Sequence, residues 1–239
     1  MTTATATTST SATTSAMARA LVIKELRENW AIAVGATLLY VWMVQSLCQP
    51  GFHGIPFLFI VSTGQRGVPF VDYDFSIPFA FTTGLLALVL GFRQSISETV
   101  QGTYLFLLHR PWSRSAIVLT KLAVGVGILL VCSAWPIVAY GAWAATPGHV
   151  PAPFEWSMTG IAWRQLAVMP LMYLGAFLSA LRPARWLGTR LVPLAASGTA
   201  MWLFYLCPSR WGFEWMFLVV VDALFAVTIC YMVRTRDYS

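Results

Sequence analysis

Six apolar segments, at about 30–48, 75–92, 117–145, 165–181, 187–207 and 214–233, hold only four charged residues among them: Lys121, Arg190, Glu214 and Asp222. A helix needs roughly 20 apolar residues to cross the hydrocarbon of a bilayer. Each backbone N–H then finds its carbonyl within the segment itself, which lipid cannot supply. The chain is therefore expected to be an all-α polytopic membrane protein with six transmembrane helices. It is 58% hydrophobic and 10% charged, with mean hydropathy +0.69, whereas ordinary soluble domains are roughly 25% charged. Six spans take about half of the chain, and what remains is too short for a separate soluble domain.

The net charge of +6 speaks to topology and not to nucleic acid. With the N-terminus on the cytoplasmic side, twelve of the fifteen Lys and Arg residues fall on that side, leaving only Arg66, Arg164 and Arg210 outside. That bias obeys the positive-inside rule and fits an even number of spans. Both termini are expected in the cytoplasm, and the location to be a plasma membrane, the bacterial inner membrane. Residues 1–16 contain only Met, Thr, Ala and Ser. Such a tract buries nothing and is expected to be a disordered tail ahead of a membrane domain at 17–239, with Met17 an alternative start. It has neither the basic nor the apolar region of a signal peptide. Residues 18–30 read as a basic amphipathic helix, with Val22, Leu26 and Trp30 on one face and Lys24, Arg27 and Glu28 off it. Such a helix lies along the inner membrane surface. Connector 49–74, rich in Gly, Pro and aromatics, leaves room for a re-entrant piece at 55–61. Loop 146–163 carries Trp156 and Trp163 as an aromatic belt.

The most informative stretch is 94–121, between the second and third spans. Ser95 and Glu98 have the Ser-x-x-Glu spacing of a capping box. Behind them Ile96, Val100, Tyr104 and Leu107 or Leu108 recur at helical spacing, with Gln94, Glu98 and Gln101 facing away. Pro111 disfavours helix at Arg110, and Ser113 is placed to cap a second helix running through Lys121. Glu98, Gly102-Thr103, the leucines Leu105, Leu107 and Leu108, then Pro111, Ser113, Arg114 and Lys121 resemble, in that order, the cytoplasmic loop of ABC transporter permeases of the type-2, exporter-like family. The N-terminal amphipathic helix, the six spans and the cytoplasmic termini extend the resemblance.

That resemblance implies a membrane subunit that dimerises with a second copy or a sibling permease and is driven by a separate ABC-type ATPase. The loop forms a coupling helix that docks on the ATPase through Glu98, Gly102, Thr103, Leu107, Arg110, Pro111, Ser113 and Arg114. The chain carries no G-x-x-x-x-G-K-[ST] phosphate loop, so ATP is expected on the partner and no cofactor on this chain. Export is the direction implied. The apolar spans suit a lipid-like or amphipathic cargo, with membrane lipids as the surroundings. The alternatives are a non-transporting anchor or mechanotransmission subunit, and an intramembrane enzyme. The enzyme reading lacks its parts: His53, His109 and His149 all lie in loops and no H-E-x-x-H occurs.

Asp222 is the one acidic residue deep inside a span. Such a carboxylate faces a bundle interior or a cavity, either in a functional role or in an interhelical hydrogen bond, for which Tyr205, Tyr173 and Ser197 are candidate partners. Gly175 with Ser179, Ala176 with Ala180 and Ala196 with Ala200 have the small-residue spacing that permits close helix packing. Gly125 and Gly127 either flex the third span or lighten it. Cys48, Cys132, Cys207 and Cys230 form no metal-ligand spacing and read as small apolar filler.

Overall fold

The computed structural model describes residues 5–49, 68–100, 113–150, 153–182, 186–206 and 212–235, with side chains for all of these except 5–15, 97–100 and 187. All regular secondary structure among them is helical. The helices are α1 (Thr5–Cys48), α2 (Tyr73–Val100), α3 (Arg114–Ala144), α4 (Gly160–Leu181, entered through a 3-10 turn at Trp156–Thr159), α5 (Leu187–Leu206) and α6 (Phe213–Thr235). Five of them, all but α5, are long and apolar enough to cross a membrane. α5 carries Arg190 and Pro193 in its first two turns. Pro78, Pro136, Pro170 and Pro193 all lie within helices, as membrane helices tolerate when neighbouring groups re-satisfy the freed carbonyls.

Two elements differ from the sequence expectation. Residues 18–30 are not a separate surface helix but a stretch inside α1, which begins at Thr5, within the tract expected to be a tail. No Gly or Pro occurs before Gly35, so nothing breaks the helix at Trp30. α2 likewise runs without interruption through Ser95 to Val100. The capping box at Ser95 and Glu98 is therefore not a helix start, and Ser95 is fully buried in mid-helix. No Gly or Pro lies between Gly91 and Gly102, and a capping box needs a non-helical residue at its first position. The body of the expected coupling helix, 101–112, and the connector piece at 55–61 lie outside the described residues.

α4 is the centre of the bundle. It packs most extensively on α2 and α5, and also meets α3 and α6, while α1 packs mainly on α3. Nearly every side chain from Val168 to Leu181 is buried. α1 is inside-out compared with a soluble helix. Leu21, Glu25, Asn29, Ala36, Tyr40 and Met43 face inward, while Ile23, Leu26, Trp30, Val34 and Leu38 face outward. Large apolar groups outside and polar groups inside is the arrangement lipid demands.

Cross-helix contacts show that the helices alternate in direction. Arg93, near the end of α2, donates to the Glu28 carbonyl of α1 (2.8 Å). Arg234, near the end of α6, donates to Ser115 at the start of α3 (2.9 Å). Arg190, in the first turn of α5, donates to the Ser179 and Ala180 carbonyls at the end of α4 (both 3.3 Å), two of the acceptors that a helix C-terminus leaves open. These contacts define one end of the bundle, called proximal here.

The distal end is closed by aromatic packing. Phe75 stacks on Phe79 (5.2 Å) and on Tyr140 (5.4 Å), and Tyr140 on Trp143, which stacks on His149. Phe70 joins this cluster at 4.6 Å from Phe75, holding φ +64°, an unfavourable region for an aromatic residue, with its ring buried.

Between the two ends lies a neutral polar node. Thr83 donates to the Phe79 carbonyl, so its oxygen accepts from Tyr40 (2.8 Å), which in turn accepts from Ser133 (2.7 Å). One hydroxyl thus joins α1, α2 and α3. Tyr40→Phe removes it and is expected to cost about 1–3 kcal/mol, the range for buried polar groups deprived of a partner. The measurement is unfolding in detergent against wild type, and an unchanged midpoint would mean that the node contributes nothing to stability.

Candidate functional site

At the proximal end four helices each contribute one polar side chain to a single buried chain of contacts. Lys121 Nζ of α3 stands 2.7 Å from Glu25 Oε1 of α1, with both side chains about 98–99% buried. Gln94 Nε2 of α2 donates to the other carboxylate oxygen, Glu25 Oε2, at 3.4 Å. Tyr173 of α4 donates its hydroxyl to Gln94 Oε1. Donors run in a consistent sense toward one acceptor, with Tyr173 feeding Gln94 and both Gln94 and Lys121 feeding Glu25. The carboxylate and ammonium cancel in charge, which is how a span tolerates ionised groups at all.

The local sequence explains the convergence. Glu25 and Asn29 lie one helical turn apart on the inward face of α1, and Asn29 Nδ2 donates back to the Glu25 carbonyl (2.9 Å). Asn29 Oδ1 is buried and has no hydrogen-bond partner among the described residues. Gly125 stands one turn beyond Lys121, and a Cβ there would collide with Tyr173 Oη and Gln94 Oε1. Its lack of a side chain makes room for the Tyr173–Gln94 junction. Gly127 has open space around it, so the two glycines differ in role. Gly175 meets Ser197 and the Pro193 carbonyl, the close α4–α5 approach that its small-residue spacing suggested.

Of the loop residues identified in the sequence, Glu98, Ser113 and Arg114 lie among the described residues. Ser113 is the N-cap of α3, its hydroxyl accepting from the Ala116 N–H at 3.3 Å. Arg114 is the first residue of α3 and is exposed. Glu98 lies in the last turn of α2, its side chain outside the described residues. Gly102, Thr103, Leu107, Arg110 and Pro111 are also outside them.

Asp222 does not join the cluster. It sits half-buried on the inward stripe of α6, with Leu218 and Ile229, and its Oδ1 has no hydrogen-bond partner among the described residues. The three suggested partners are engaged elsewhere. Tyr173 donates to Gln94, Ser197 to the Leu194 carbonyl, and the Tyr205 ring stands 5.8 Å from the Arg164 guanidinium. Arg164 and Glu214 form an ion pair between α4 and α6, with Phe204 beneath the guanidinium. Among the described residues no three His, Cys, Asp or Glu side chains gather as metal ligands.

Sequence reading did not single out Glu25, Asn29 or Gln94 as site residues, and it placed Gln94 away from the bundle. The missed signal was the periodicity of α1. Glu25 and Asn29 continue the 3–4 spacing of Ala36, Tyr40 and Met43, and in a membrane helix polar residues on that spacing point inward. Chemically, the described polar groups of the site are engaged with one another. The site is a directional mechanical tie between four helices. The chain matches no protein-family model, no curated protein and no solved structure.

Proposed function

We propose that this chain is the membrane-spanning permease subunit of an ABC transporter of the type-2, exporter-like kind. It would have six spans and both termini in the cytoplasm of a bacterial inner membrane. It acts as a dimer, with itself or a sibling permease, and a separate ATPase supplies the hydrolysis. The observation that carries this reading is the order Glu98, Gly102-Thr103, Pro111, Ser113, Arg114, Lys121 at the junction of α2 and α3. It is supported by the neighbourhood of that junction. Lys121, the last residue of the motif, is ion-paired with the basic N-terminal part of α1, and the Ser113 cap gives α3 a firm start.

In this mechanism the ATPase presses on 101–112 when it closes on ATP. Continuous helix on both sides, α2 up to Val100 and α3 from Arg114, passes the displacement into the bundle. Cargo is lipid-like or amphipathic, in keeping with the apolar character of the spans. A second reading, a mechanotransmission subunit that moves no solute, is favoured by one observation: the buried polar groups Glu25, Gln94, Lys121 and Tyr173 are paired with one another and do not line a path.

The test is purification of the tagged chain in mild detergent, alongside a Glu98→Arg, Gly102→Trp variant. An ABC-type ATPase is expected with wild type and should fall at least tenfold with the variant. Recovery of no ATPase, or equal recovery with both, would remove the basis of the assignment.

A further inference from the structure

A buried ion pair is a poor device for stability alone, because apolar residues of the same volume hold two helices together equally well or better. It adds direction. Leucines facing one another tolerate sliding along the helix axis, whereas an ammonium and an amide aimed at one carboxylate fix the register of three helices at once. Glu25 is that common acceptor: it holds α3 through Lys121, α2 through Gln94 and, through Gln94, α4 at Tyr173. A second tie sits one turn away, where Arg93 of α2 donates to the Glu28 carbonyl of α1.

The position of this cluster is as informative as its chemistry. Gln94 precedes residue 101 by seven positions and Lys121 follows residue 112 by nine. At 1.5 Å per residue these are arms of about 10 and 13 Å. Both arms are helical over nearly their whole length, up to Val100 and from Arg114.

We propose that the Glu25–Lys121–Gln94–Tyr173 chain is a coupler that locks the N-terminal half of α1 in axial register with the two helix ends flanking 101–112, so that all three move as one body. The source of the load on 101–112 rests on the ATPase reading above, but the lock itself does not. Restraint of α1 is the function, and the stability gained is incidental.

The test uses the full chain in lipid nanodiscs, with spin labels on Ala20→Cys and Ala142→Cys after replacement of the four native cysteines by serine. Both label sites are exposed, one near the proximal end of α1 and the other near the distal end of α3, so their separation reports axial sliding. The comparison is Glu25→Leu with Lys121→Leu, which removes the charges together and keeps the site filled. The expected result is a single narrow distance distribution for the unmodified pair and one at least twofold broader for the double variant, with an unfolding midpoint closer to the parent's than that of Glu25→Leu alone. Equal widths would overturn the coupler. If the leucine pair does not fold, Glu25→Gln with Lys121→Met gives the same comparison. Because the distance is read on this chain alone, absence of an ATPase partner would count against the proposed function and leave the coupler standing. An unchanged width would remove the coupler whether or not an ATPase binds.

Discussion

Glu25→Leu alone is expected to destabilise the bundle by about 3–5 kcal/mol, the usual consequence of removing one member of a buried ion pair. The effect comes from Lys121. Its side chain is 2% exposed, and with the carboxylate gone a buried ammonium loses its counter-charge. Gln94 Nε2 loses its acceptor at the same stroke. Adding Lys121→Leu should return most of the lost stability, because two leucines fill the volume without a charge to bury. The cycle of two single variants and the double, followed by detergent unfolding, therefore gives a coupling energy of the same order as the single effect. A single-variant loss below about 1 kcal/mol, the range of an exposed pair, would mean that Lys121 reaches solvent and that the pair is not buried in the membrane-embedded protein.

Long apolar runs made the helical architecture legible, because in lipid a spanning segment has few other ways to satisfy its backbone. The helix ends were less legible. Ser95 and Glu98 have the spacing of a cap, but local cap chemistry is overridden when Gln94 is drawn into the core by Glu25 and Tyr173 and Ser95 is buried beside it. Ser113 caps α3, and there the cap expectation and the structure coincide. The amphipathic reading of 18–30 went astray for a related reason. A helix with one apolar and one polar face is expected between lipid and water, whereas Leu26 and Trp30 face outward and Glu25 and Asn29 face protein. The site itself is not legible in the sequence, since consecutive members are separated by 27 to 69 positions along the chain and nothing local announces the contact. Periodicity gives the direction of a side chain; which helix it meets is a property of the packing.

Packing of that kind is tested most directly at Gly91. A Cβ there would lie 2.6 Å from the Tyr173 carbonyl oxygen, 2.8 Å from Ala176 Cβ and 3.0 Å from the Phe177 nitrogen. Two of these neighbours are backbone atoms of α4, so no rotamer change can clear the space and α2 must move away from α4. Gly91→Ala is expected to lose about 1–3 kcal/mol by overpacking, even though alanine by itself favours a helix over glycine by about 0.5–1 kcal/mol. Gly127→Ala is the control. It has open space around it and should be neutral or slightly stabilising, so the difference between the two isolates the close approach from the helix propensity. Gly91 lies one turn before Gln94 in α2. The displacement that relieves the clash also draws Gln94 from Tyr173, and Gly91→Ala should broaden the spin-label distribution as well as lower the unfolding midpoint. A Gly91→Ala protein as stable as Gly127→Ala would mean that α2 and α4 do not approach this closely in the membrane.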